Sequence, residues 1–234
     1  MIKTATCPRT RRDGFTLIEL LIVIVIMAIL ATMFVPVINK AIQNADNNRS
    51  AAFIQEVRSA CDTFKGEHNG MYPGQDDMGL LKGSPGGLYT GSQMLASRLY
   101  GYPHTEILSN NPNASARYLQ YRVDLLIDRS SKGTAIAKNS LADNSSTSNA
   151  LLYFPSRLRE TAATECYKWG DSSQYVTKAG AQTVFNKECI TDQRVPGGNV
   201  ARDPGGILII GTGGNDMYLE SADNDDIRSW DADD

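Results

Sequence analysis

Three groups of residues have types and spacings that could do chemistry. The first is Gly14, Phe15 and Glu19. A small residue precedes a nearly unbroken apolar run from Phe15 to Ile38, and Glu19 is the single charge in that run. A carboxylate in a membrane helix costs about 2.5–3.5 kcal/mol on insertion scales, so Glu19 needs a compensating partner unless it lies at a helix end and reaches the headgroups. The second group is the acidic C-terminal stretch. Asn215, Asp216, Asp223, Asn224, Asp225 and Asp226 offer hard oxygen atoms. Crowded carboxylates repel one another, and a calcium ion, which takes about 6–8 oxygen ligands, would relieve that repulsion. The spacing is not that of an EF-hand, and a solvated acidic tail is the other reading. The third group is the cysteines Cys61, Cys166 and Cys189, with Cys7 near the N-terminus.

Catalytic patterns are missing from the sequence. His68 and His104 stand in unrelated surroundings. There is no Gly-x-Ser-x-Gly elbow, no His-Glu-x-x-His and no P-loop. Gly211-Thr-Gly-Gly has phosphate-loop glycines but neither the spacing nor the Lys-Ser/Thr, so it reads as a tight turn. Without Cys-x-x-Cys or a nearby His, zinc is not expected. The formal net charge of −3 gives no reason to expect nucleic acid as a partner.

The elements that position these groups follow from hydropathy. The 24 residues from Phe15 to Ile38 would form a helix of roughly 36 Å, enough to cross a bilayer core of about 30 Å. Lys3, Arg9, Arg11 and Arg12 precede the run, against one acid, Asp13. The positive-inside rule then keeps residues 1–14 in the cytoplasm and the bulk of the chain outside. A secretory signal peptide would have a shorter run with its small residue after it, not before. After Pro36, which should kink or locally melt the helix, the pattern becomes amphipathic. Ile38, Ile42, Ala45, Arg49, Phe53, Val57, Ala60, Cys61 and Phe64 recur at helical steps. One helix is therefore expected from about Phe15 to Lys65, stopped by Gly66 and Gly70 with Pro73 beyond.

Residues 11–20, Arg-Arg-Asp-Gly-Phe-Thr-Leu-Ile-Glu-Leu, resemble the processing site of type IV prepilins and type II secretion pseudopilins. The resemblance implies that a prepilin peptidase cuts after Gly14 and that the new N-terminus, Phe15, is methylated. It also implies that Glu19 pairs with the amine of Phe15, usually that of a neighbouring subunit in a filament. His68-Asn-Gly-Met-Tyr-Pro73, followed by Gly79 and Leu80, is similar to the segment after the long helix in major pseudopilins. The acidic ending at Asp223, Asp226, Ile227 and Trp230 resembles their calcium loop. By that resemblance Leu219 and Ser221 would add backbone carbonyls to Asp223, Asp225 and Asp226.

The fold class expected is α+β, with the long helix packed on a small antiparallel sheet in a pilin-like domain. A cleaved leader (1–14) precedes the membrane half of the helix (15–38), its amphipathic half (39–66) and a domain from 67 to 234 that ends in an acidic loop (213–230). An insert of about 84–196 carries no recognised pattern. Within it a short helix is expected near Ser92–Tyr100, strands at Tyr118–Ile127, Ala150–Phe154 and Gln174–Thr177, and an exposed or disordered stretch at 130–149. Gly206–Gly211 reads as a buried strand. Outside the cytoplasm disulfides can form, and Cys166 with Cys189 is the expected pair, leaving Cys61 a buried thiol.

The expected function is structural: a major-pseudopilin-like subunit, single-pass in the inner membrane, with its domain in the periplasm. Its partners would be copies of itself, other pilin-like subunits, inner-membrane assembly proteins, the prepilin peptidase and membrane lipid. A type IV pilin, or an anchored ligand-binding protein that uses a pilin-type start for export, are the other readings. Intact-mass spectrometry should show loss of residues 1–14, and Gly14→Val should leave the precursor uncut; a mature start after the apolar run would overturn the reading.

Overall fold

The computed structural model describes residues 15–101, 118–120, 122, 125–127, 139–144, 149–176, 179–195, 198–212, 219 and 227–228. Helix α1 runs from Leu17 to Glu67, 51 residues. The chain divides into two compact units, Met1–Ile42 and Gln43–Asp234, so the second half of α1 belongs to the larger one.

In the first unit every described residue is exposed, including the apolar side chains from Leu17 to Ile42. The helix is not melted at Pro36, which sits inside it. Proline has no N–H to offer the carbonyl of Thr32, four residues back, but a single lost bond does not end a helix of this length. The stop comes later than Gly66. Asn69 and Gly70 both adopt left-handed backbone (φ 53° and 78°), and Gly70 N–H returns to the Lys65 carbonyl at 3.0 Å. His68 stacks on Phe64, with ring centroids 3.7 Å apart.

In the second unit three strands form an antiparallel sheet: β3 (Leu152–Pro155), β4 (Ile207–Gly211) and β5 (Ile227–Arg228), with β4 in the middle. Leu152 faces Ile210 and Phe154 faces Leu208 across the pair. A two-stranded ribbon, β1 (Leu126–Ile127) with β2 (Ser140–Leu141), is separate. The apolar stripe of α1, Phe53, Ile54, Val57, Ala60, Cys61 and Phe64, is buried in the core that the sheet completes. Contact with β4 is close: a Cβ on Gly211 would lie 3.2 Å from Ile54 Cδ1. The result is an α+β fold, a long helix on a small antiparallel sheet.

Helix α2 (Gly91–Tyr100) matches expectation and is well ended. Thr90 and Gln93 form a reciprocal capping box, and Gly101 closes the other end in left-handed conformation. Elsewhere tertiary contacts override the pattern. The buried face of α1 turns at its start, so Asp46 and Ser50 are buried while Ala45 and Arg49 are exposed. Ser50 Oγ donates to the Asp143 carbonyl at 2.7 Å, which makes a polar residue acceptable there. Asp143 is itself buried and accepts from the Thr212 hydroxyl at 2.6 Å. Residues 139–144 therefore correct the expectation of an exposed 130–149 stretch: Ser140, Leu141, Ala142 and Asp143 are buried. The strand expected at 174–177 is replaced by a 3-10 turn at Ser173–Tyr175. Its cause is the Tyr175 hydroxyl, which lies 2.5 Å from Thr90 Oγ1 and 2.6 Å from Ser140 Oγ, a contact that an extended strand need not make. Between β3 and β4, α3 (Ala163–Cys166), a 3-10 turn at Trp169–Asp171, and α4 (Ala181–Val184) followed by a π-helix at Phe185–Ile190 carry the rest.

The expected disulfide is a further correction. Cys166 and Cys189 are both buried and stand as thiols, as does Cys61. Cys166 ends α3, where its carbonyl accepts from the Arg157 N–H at 2.8 Å, and Cys189 lies in the π-helix. Each packs as a small core residue, and burial pushes the Cys61 and Cys166 thiols up from their ordinary range.

One ion pair ties three segments of the larger unit. Arg157, just after β3, meets the fully buried Asp171 carboxylate with both guanidinium nitrogens; Nη2 donates to Oδ1 at 2.9 Å. Gly83 N–H donates to the same Oδ1 at 3.0 Å. Burial raises the Asp171 carboxyl above its ordinary range, opposed by Arg157. Breaking such a pair leaves a lone buried charge, so Arg157→Met should cost about 3–5 kcal/mol at neutral pH. A carboxyl raised in the folded state stabilises the fold fully below its unfolded pKa of about 4, and that stabilisation is lost as pH rises through the folded pKa. The deficit of the variant should therefore shrink on acidification. Urea unfolding of both proteins from neutral pH down to about pH 4 checks this; an equal deficit throughout would argue against a charged Asp171.

Candidate functional site

Of the expected processing residues, Gly14 lies outside the described residues, and Phe15 is 79 % exposed just before α1. Glu19 does not stand alone in the apolar run. Its Oε2 accepts from the Thr16 N–H at 2.8 Å and from the Thr16 hydroxyl at 2.7 Å, while Glu19 N–H points back to Thr16 Oγ1 at 3.4 Å. This is the reciprocal geometry of a capping box, with Thr16 as the residue that begins the helix and Glu19 three positions on. It satisfies donors that a helix start leaves open. Both side-chain contacts use one oxygen; among the described residues, Oε1 accepts nothing.

The Thr16 role was missed from sequence, although Thr-x-x-Glu at the head of an apolar run is its signature. Phe15 to Glu19 therefore serve one local structure. The box starts the helix at Leu17, holds the carboxylate at the exposed start of α1, and leaves one oxygen open. From Leu17 to Ile42 every side chain is exposed. A helix apolar on all sides requires lipid or other helices around it. It is long and apolar enough to cross a membrane and sits near the N-terminus.

The acidic C-terminal group is placed only in part. Ser221, Asp223, Asp225 and Asp226 lie outside the described residues, and among those described no three His, Cys, Asp or Glu side chains cluster. Leu219 is described: its side chain is buried and its backbone left-handed (φ 57°). Residues 227–228, expected in the loop, form β5 instead. Gly211 pairs with Ile227, so the sheet holds both ends of the 212–226 segment together.

Residues 9–35 match a known family, described as the prokaryotic N-terminal methylation motif. The chain carries this methylation motif. Two curated relatives extend the likeness. The chain is 38 % identical over 63 residues to the type II secretion system core protein G of Pectobacterium carotovorum subsp. carotovorum. It is 37 % identical over 65 residues to that of Aeromonas hydrophila. Those matches take in 27 % and 28 % of this chain, and 40 % and 45 % of the relatives, so the chain spans less than half the length of either. No solved structure matches the chain at a significant level. The methylation motif covers the capping box and most of the exposed apolar helix, so geometry and family point to the same segment.

Losing a Ser/Thr cap costs about 1 kcal/mol, a factor of about 5 in local opening. Thr16→Ala should therefore speed amide exchange at residues 17–20 about fivefold in detergent micelles, and Thr16→Ser should restore protection. Equal exchange in all three proteins would show that the box does not hold the helix start.

Proposed function

We propose that this chain is a structural subunit of a pilus-like filament, a major-pseudopilin-like component of a type II secretion system. The observation that carries the reading is the fully exposed apolar start of α1, which bears one capped carboxylate within the methylation motif. The prepilin peptidase would release Phe15, and its amine, from the same or a neighbouring copy, would meet the open Oε1 of Glu19. In the inner membrane lipid would cover the helix, with the first residues cytoplasmic and the domain periplasmic. In the filament, other copies and pilin-like subunits would replace lipid, with inner-membrane proteins guiding the exchange. The relatives named core protein G support this reading over a type IV pilin.

Calcium belongs to the same proposal. Leu219, Ser221, Asp223, Asp225 and Asp226 would hold one ion in the segment that β4 and β5 close. Its chemistry would be charge neutralisation within the domain.

The experiment is reconstitution of assembly with a type II secretion apparatus, followed by recovery of filaments by shearing and microscopy. The wild type should polymerise in calcium and give fewer filaments in chelator. Glu19→Ala should insert at least as well, because it removes a charge from the bilayer, yet yield few filaments. Full yield from Glu19→Ala would sink the pairing, and equal yield with chelator would sink the calcium assignment. No filaments from the wild type would favour an anchored protein that uses the motif for export alone.

A further inference from the structure

A hollow of about 340 Å³ opens on the insert, away from every residue assigned above. Its rim and walls include Lys82, Thr164, Lys168, Trp169, Gln182 and Asn186. Close backbone packing brings the two sides together. A Cβ on Gly170 would sit 3.0 Å from Gly83 Cα, so only glycines let these turns touch. The buried Arg157–Asp171 pair and the Gly83 N–H bond lock the same junction from beneath. The hollow is thus built on a rigid floor.

Its chemistry is selective. Among the described residues, its apolar lining is the two aromatic rings of Trp169 and Tyr167, with no Leu, Ile, Val or Met. Trp169 is half-buried and anchored from behind, with Phe185 at 5.2 Å and Phe154 at 6.4 Å between ring centroids. A fixed ring with a negative face attracts the weakly positive C–H groups on one side of a sugar ring. Thr164, Gln182 and Asn186 supply hydroxyl and amide groups that can both donate and accept, as sugar hydroxyls require. Lys82 is exposed and has no carboxylate partner among the described residues. Lys168 pairs with exposed Glu165, a contact weak enough for a ligand anion to replace. A hydrophobic peptide would want aliphatic pockets, and the described lining has none.

We infer that this hollow binds an acidic saccharide, with a sugar ring on Trp169 and its carboxylate on Lys82. The inference stands apart from filament assembly, so either can fail alone. Full-length protein in a sugar-free zwitterionic detergent would be titrated calorimetrically with a trisaccharide of glucuronic acid. The matched control is the glucose trisaccharide, which differs at each ring only by lacking the carboxylate. The uronate should bind saturably, and the glucose trisaccharide about tenfold more weakly. Lys82→Gln and Gln182→Ala, both surface changes, should each weaken uronate binding about fivefold. Trp169 packs on the core, so its replacement is not used. Absence of saturable binding, equal affinity for the two sugars, or indifference to both substitutions would overturn the assignment. So would equally tight binding of tetra-aspartate, which would mark the site as one for acidic peptide.

Discussion

A single helix has to satisfy two surroundings, and the rest of the molecule follows from that constraint. From Leu17 to Ile38, α1 is apolar on all sides apart from Glu19, and its side chains are exposed. From Phe53 to Phe64 only one face is apolar, and that face is buried. Burying a large aliphatic or aromatic side chain is worth about 1.5–3 kcal/mol, so Phe53, Ile54, Val57 and Phe64 are a main source of cohesion for the larger unit. The side chains of the first half are exposed and gain no such burial among the described residues. Its burial must come from outside, which is why an interpretation of this protein as membrane-inserted and then assembled is physically economical.

The sheet that receives the buried stripe is small. Its strands are five residues or fewer, and long connections lie between β3 and β4. Polar contacts across long sequence separations therefore fix those connections. The Tyr153 hydroxyl donates to the Pro73 carbonyl at 2.8 Å, and Gln75 reaches Ser156 at 2.8 Å, binding the turn after α1 to the end of β3. Tyr175 gathers Thr90 and Ser140, and Asp171 gathers Arg157 and Gly83. Each neutral bond contributes only about 1 kcal/mol net, but an unmade one in this interior would cost more. Such contacts choose one arrangement of loops among many with similar apolar burial.

At the N-terminus the same accounting is local. Thr16 and Glu19 satisfy one another, so the helix begins cleanly at the point where processing would expose it. A carboxylate that is half satisfied within its own chain is less costly to hold in an apolar setting, yet it keeps an oxygen for a partner. The motif thus joins helix initiation to a carboxylate with one open oxygen in five residues.

The amino-acid sequence alone determined the elements whose signals are local. The apolar run, the amphipathic half of α1, the capped helix α2 and the strand around Ile207–Ile210 were all legible, because period, caps and turn residues act over a few positions. So was the N-terminal methylation motif, and the capping box within it carries the Thr-x-x-Glu signature. Tertiary structure alone decided that Asp46 and Ser50 are buried, that Ser140–Asp143 belongs to the interior, and that Tyr175 ends a turn. It also decided that Cys166 and Cys189 pack as thiols and that Gly83, Gly170 and Asp171 meet beneath one hollow. These outcomes depend on partners 30 to 100 residues away in the chain. A buried serine or aspartate is acceptable only when a particular distant donor or acceptor arrives, and no short-range pattern encodes that arrival.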